Sequence, residues 1–198
     1  MFTRKVKTLL IGLLVIASLA GCGLRKEHGP LQVSSVPAYD IPMLQAARAS
    51  NLKLVVGDFR DVRADSSLVL DEDREAADDV ADLVTRTIRQ TLRENGVHTK
   101  LFGGPKIDGE IQRWQVVIEK GFPSRTAKAE AEISLSLKDE KGNPIFRGRY
   151  SAESELEHPL VRQHLDEILG QALGLAIKEA LNDDDFVAII SGFRSSEG

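Results

Sequence analysis

The stretch AKAEAEISLSLK, residues 127–138, alternates without a break. Ala127, Ala129, Ala131, Ile133, Leu135 and Leu137 take one set of positions; Lys128, Glu130, Glu132, Ser134, Ser136 and Lys138 take the other. A period of two is that of an extended strand, whose successive side chains point to opposite faces. The polar set predicts a sheet with one face in water, as antiparallel sheets commonly have. Upstream, residues 106–120 alternate in two phases: Ile107, Gly109 and Ile111, then Trp114, Val116 and Ile118. The phase change near Gln112-Arg113 predicts a β-bulge, where one extra residue flips the facing side chains. Downstream, residues 139–143 with Gly142 predict a hairpin turn, followed by a strand from Ile145 to about Glu155. Phe146, Gly148, Tyr150 and Ala152 share one face of it.

Helical patterns flank this core. Residues 52–59, LKLVVGDF, read as a first strand, and residues 60–67 as a loop. The triplet Leu68-Val69-Leu70 is too short to assign. Asp71-Glu72-Asp73 concentrates acid where a helix dipole would favour it, before a stripe of Val80, Leu83, Val84, Ile88 and Leu92. Asn95-Gly96 closes that helix. Residues 97–102 read as a brief strand stopped by Gly103-Gly104-Pro105. A long helix starts near Pro159 and carries Val161, Leu165, Ile168, Leu169, Ala172, Leu173, Ala176, Ile177, Ala180 and Leu181 on a wide apolar face. Asn182-Asp183-Asp184-Asp185 breaks it and caps a short piece, residues 186–190. The order β-α-β-β-β-β-α predicts an α+β domain: an antiparallel sheet of about five strands with two main helices on one face.

The 198 residues, 42% hydrophobic and 28% charged, suit one domain with appendages. One cysteine excludes an internal disulfide or a thiolate-cluster metal site. That cysteine, Cys22, follows a basic start (Arg4, Lys5, Lys7) and an apolar run over residues 9–20. Such a run is shorter than the ~20 residues a spanning helix needs, so residues 1–21 read as an export signal. Leu19-Ala20-Gly21-Cys22 resembles the lipobox of bacterial lipoproteins at all four positions. The resemblance implies cleavage between Gly21 and Cys22, a diacylglyceryl group on the Cys22 thiol and acylation of its new amino group. Two or three acyl chains make a durable anchor, at about 0.8 kcal/mol per buried methylene. Gly23 stands where an aspartate would favour inner-membrane retention, so the resemblance implies the outer membrane. Without Arg4, Lys5 and Lys7 the mature chain keeps 23 basic residues against 30 acidic ones, near −7 rather than −4. That balance argues against nucleic acid as a partner. The expected organisation is residues 1–21 signal, 22–50 acylated cysteine and tether, 51–193 α+β domain, and 194–198 polar tail.

Several short features occur in a telling order: the lipobox, a first strand ending in Asp58-Phe59-Arg60, the Asn95-Gly96 helix end, the Gly142-Asn143 hairpin, and the Asp183–Asp185 break before a short amphipathic piece. Over residues 52–193 this order is similar to the YajG family of bacterial lipoproteins, and more distantly to auxiliary lipoproteins of lipid-transport ABC systems. The resemblance implies a membrane-tethered domain facing the periplasm and carries over no enzymatic activity.

The residues themselves offer little chemistry. His28, His98, His158 and His164 lack metal-ligand spacing, and Ala76 stands where a calcium loop starting at Asp71 needs glycine. No Gly-x-Ser-x-Gly elbow occurs, and Gly103-Gly104-Pro105-Lys106 lacks phosphate-loop spacing. No metal, cofactor or catalytic grouping is expected. Four residues are candidates for partner binding. Asp58 and Arg60 share a strand face and could pair with each other or bind a charged group, though a local ion-pair network is the plainer reading. Trp114 and Phe122 lie at the bulge and tip of the longest hairpin, where a lone Trp is either an anchor or core. Phe186, Val187, Ile189 and Ile190 either pack back on the domain or form an apolar patch. The leading expectation is a non-enzymatic accessory lipoprotein with an envelope protein partner, its oligomeric state open. The alternative is a lipid-binding or lipid-transfer component, which needs an apolar pocket beneath the helices.

Overall fold

The computed structural model describes residues 30–33, 36–44, 52–69, 74–120, 125–157 and 162–193. Its elements are β1 (Lys53–Asp61), α1 (Val80–Glu94), β2 (His98–Lys100), β3 (Lys106–Lys120), β4 (Arg125–Lys138), β5 (Pro144–Glu157), α2 (Arg162–Leu181) and α3 (Asp184–Gly192). The strands form one sheet in the order β2-β1-β3-β4-β5. The α+β architecture stands as expected, with one difference: the sheet is mixed. β3, β4 and β5 are antiparallel, whereas β1 runs parallel to both β2 and β3. The reason is connectivity. The chain leaves β1, passes through α1 and re-enters beside β1, and a helical crossover of that kind returns a strand in the parallel sense.

Two bulges set the faces. In β3 the register slips between Ile111 and Arg113, so Ile111 and Trp114 both face the core across from Ile133 and Ala131. In β1 it slips between Val56 and Phe59, bringing Leu54, Val56 and Phe59 to the buried side. A bulge strands backbone groups, and α1 supplies partners for these. Thr85 Oγ1 accepts from the Phe59 amide at 3.1 Å, and the Arg89 guanidinium donates to the Val56 carbonyl at 3.3 Å.

Helix α1 begins at Val80, with Asp79 capping the amides of Ala81 and Asp82. Residues 74–79 are not helical, and Asp71-Glu72-Asp73, expected to favour the helix dipole, lies outside the described residues. The helix closes at Asn95, with Gly96 at φ 78°. The alternating alanines of β4 are all buried and let α2 approach closely with Leu165, Ile168, Leu169, Ala172 and Ala176. Asp183 caps α3, accepting from the Phe186 amide at 2.9 Å. It also accepts from the Tyr150 hydroxyl at 2.9 Å. Burial, followed by that carboxylate, pushes the Tyr150 hydroxyl above its ordinary pKa. Phe186, Val187 and Ile190 of α3 pack back on the domain, with Phe186 5.7 Å from the Phe146 ring.

The packed unit extends N-terminally of residue 51. Leu31, Ile41 and Leu44 are fully buried, and Leu31 bridges Ala76 in parallel. Asn95 ties this segment to the end of α1, accepting from the Ile41 amide at 2.6 Å and donating to the Tyr39 carbonyl at 3.0 Å. Gly174 of α2 makes room for it, since a Cβ there would meet the Pro37 carbonyl at 2.9 Å. Part of the expected tether is therefore domain. The tripeptide Leu68-Val69-Leu70 also gains an assignment at its described positions: Val69 bridges Val116 and continues the β1 side of β3.

Candidate functional site

The charged end of β1 was the densest constellation in the sequence, and its groups divide between two environments. Asp58 and Arg60 are exposed on the solvent face of the sheet, with Phe59 turned inward between them. Arg60 does not pair with Asp58 but with Glu110 on β3, which Arg147 of β5 also approaches at 3.9 Å. The same face carries Lys138–Asp108 at 2.6 Å, Lys128–Glu153 at 2.8 Å, Arg113–Glu130 at 3.4 Å and Arg149–Glu132 at 3.4 Å. Exposed pairs of this kind stabilise little each, and opposite charges across strands help to hold register.

Arg63 is different. Its side chain is only 4% exposed, and it donates to Asp61 through Nε at 2.9 Å and through a terminal nitrogen at 2.7 Å. Another terminal nitrogen reaches the Trp114 carbonyl at 3.1 Å. The end of β1 is thereby clamped to the bulge of β3. Burial opposes ionisation of Asp61, but its hydrogen bonds and charge interaction with Arg63 outweigh this and hold its pKa below the ordinary carboxylate value. The lowered pKa contributes stability that is present above the unfolded-state pKa of about 4 and lost as pH falls through the folded-state value. Asp61→Asn is therefore expected to flatten the acid limb of the stability–pH profile, measured by thermal unfolding between neutral pH and pH 2. Arg63→Ala should cost about 2 kcal/mol at pH 7, because it strands a partly buried carboxylate and a backbone carbonyl.

Trp114 is 1% exposed, with its indole N–H donating to the Leu169 carbonyl of α2 at 3.0 Å. It is core and offers no surface anchor. Gly21, Cys22 and Phe122 lie outside the described residues, as do residues 1–29 as a whole.

One feature escaped the sequence reading. Strand β2 ends at Lys100, so Leu101 and Phe102 stand beyond the sheet, 77% and 84% exposed. Gly103 and Gly104 follow at φ 65° and 117°, left-handed conformations that side chains disfavour. A brief apolar run reads as buried strand; the Gly-Gly-Pro that follows it was the available sign that the chain turns outward there. A nearby depression of about 230 Å³ is lined by Arg93, Gly96, Val97, His98 and Thr99. It is smaller than ordinary ligand pockets of about 300–1,000 Å³ and is polar at Arg93, His98 and Thr99. Among the described residues, no group of three or more His, Cys, Asp or Glu side chains is placed to hold a metal. Nor is any helix among them long and apolar enough to cross a membrane.

The described residues form one α+β domain, and the family it matches is one of lipoproteins. The chain belongs to the Lipoprotein_16 family, described as uncharacterized lipoprotein, whose model matches residues 37–191. No curated protein matches it. Among solved structures, a Xanthomonas campestris protein of the DUF330 family has the same fold at a TM-score of 0.54 and 13% identity, covering 83% of this chain and 94% of that one. A minor lipoprotein from Acinetobacter baumannii matches with a TM-score of 0.43 and 11% identity, over 70% of this chain and 90% of its own. Lipoprotein GNA1162 from Neisseria meningitidis matches with a TM-score of 0.39 and 8% identity, over 67% and 99%.

Proposed function

We propose that the chain is a YajG-like accessory lipoprotein of a cell-envelope assembly, non-enzymatic and held in the outer membrane by acyl chains on Cys22, its domain facing the periplasm. The observation that carries this reading is the exposed Leu101-Phe102 tip. Two large apolar side chains in water beside left-handed glycines form a preshaped contact that burial in a protein partner would stabilise. The lipid-transfer alternative draws less support, because the alanine face of β4 that could have left room for an acyl chain is filled by α2.

The test is in-cell photo-crosslinking with a photoreactive residue at position 102. The expected result is an adduct with a defined envelope protein that is absent when the probe sits at Lys141, in the opposite hairpin. Adducts with lipid alone, or equal labelling from both positions, would sink the accessory reading. For the anchor, Cys22→Ala is expected to leave the signal uncut and the chain without acyl groups, as read by intact-mass spectrometry of the membrane fraction.

A further inference from the structure

β5 forms one edge of the sheet and is 14 residues long. Among the described residues its only strand partner is β4, which leaves an outer row of backbone donors and acceptors without a ladder. Natural proteins blunt edges of this length, commonly with charge. The charges here are ordered by sign. On the solvent face Arg147 and Arg149 come first, Ser151 stands in the middle, and Glu153, Glu155 and Glu157 follow. Arg147, Arg149 and Glu153 have side chains 71%, 67% and 58% exposed, even with their β4 and β3 neighbours in place.

Such a strand is complementary to itself when reversed. An antiparallel partner related by a two-fold axis at Ser151 sets Arg147 against Glu155 and Arg149 against Glu153, twice each. The same register sets Phe146 against Leu156 and Tyr150 against Ala152 on the helix side. Phe146, Tyr150 and Leu156 are only partly buried within one chain, so pairing would cover them further. Only an even register keeps polar faces together, because a one-residue slip inverts every side chain. Moving the axis to Glu153 would set that glutamate against itself. Moving it to Tyr150 or Ala152 separates Phe146 from Leu156, and at Ala152 it also shortens the overlap.

We infer that β5 is a homodimerisation strand, pairing with β5 of a second copy of this chain about a two-fold axis at Ser151 to give one continuous ten-stranded sheet. The closed two-fold interface uses up the edge and so also prevents open-ended association. Tethering two copies to one membrane raises their effective concentration, so a single strand pair suffices.

The test uses the full chain in membranes. Opposed residues of an antiparallel pair have Cα atoms about 4.5–5.5 Å apart, within disulfide range. Ser151→Cys is expected to give a disulfide dimer under mild oxidation, well above the background of the wild-type chain, whose only cysteine is Cys22, and of Lys141→Cys. Adding Arg147→Glu and Arg149→Glu to Ser151→Cys should lower that dimer at least tenfold. Co-expression with a chain carrying Glu153→Arg, Glu155→Arg and Ser151→Cys should restore it as a heterodimer, which also shows that both variants fold. Crosslinking of Ser151→Cys no greater than that of Lys141→Cys overturns the inference. So does a Ser151→Cys dimer that the charge reversals leave unchanged.

Discussion

Gly109→Ala is expected to cost about 3 kcal/mol or more of folding stability, read as a drop in denaturation midpoint with an unchanged slope. Gly109 lies in β3 between Phe59 of β1 and Leu135 of β4. A Cβ at this position would come within 2.0 Å of the Ser134 carbonyl oxygen and 2.4 Å of the Phe59 ring. The first obstacle is backbone in a central strand, and the second is an aromatic ring only 2% exposed. Neither can move without shifting the sheet. Gly148 makes a useful contrast: its space is taken by the Tyr150 side chain rather than by backbone, and that side chain can move at the cost of its hydrogen bond to Asp183. If the Phe59 ring provides part of the clash, Phe59→Ala and Gly109→Ala should be non-additive, the double variant recovering about 1 kcal/mol relative to the sum. Strict additivity would show that the glycine serves the strand–strand approach alone.

Trp114→Ala should cost about 3–5 kcal/mol, the range for deleting a large buried aromatic. The side chain is 1% exposed opposite Ala131, and the adjacent position on β5 is Ala152, a row of small residues that cannot expand into the vacancy. Trp114→Phe keeps most of the volume and loses the bond to the Leu169 carbonyl, so about 1–2 kcal/mol is expected. Trp114 is the only tryptophan, and its buried wild-type emission should lie to the blue and shift red on unfolding. Circular dichroism follows the variants. A loss below 1 kcal/mol for Trp114→Ala would mean that the bulge, not the ring, organises this part of the core.

Much of this core was legible beforehand because burial on one side of a sheet leaves a period of two in the sequence. The alternation of β4, the phase change of β3, the Gly142 hairpin and the apolar face of α2 from Leu165 onward are all local patterns, and all four appear where expected, while Pro159 and Val161 lie outside the described residues. The beginning of α1 was legible in its apolar stripe, whose first residue, Val80, also opens the helix, but acid residues favour a helix N-terminus without specifying its cap. Asp79, which has the right backbone geometry, makes the cap. The ion pairing of β1 was half legible: the pattern put Asp58 and Arg60 together on one face, but the partner of Arg60 came from a strand fifty residues away. Arg63 could not be told from a surface arginine, since its burial depends on the Trp114 carbonyl beyond the turn of the chain.

The sequence by itself determined the α+β class and which residues of β3, β4 and β5 face the helices, because each depends on neighbours along the chain. Only the tertiary structure decided that β1 is parallel to β2 and β3, that residues 30–44 contribute Leu31, Ile41 and Leu44 to the core, that Trp114 is buried and that Leu101 and Phe102 are not. Those outcomes rest on which elements lie side by side. A residue's periodicity records whether it has a buried face, whereas strand direction and exposure are set by partners far away in the chain.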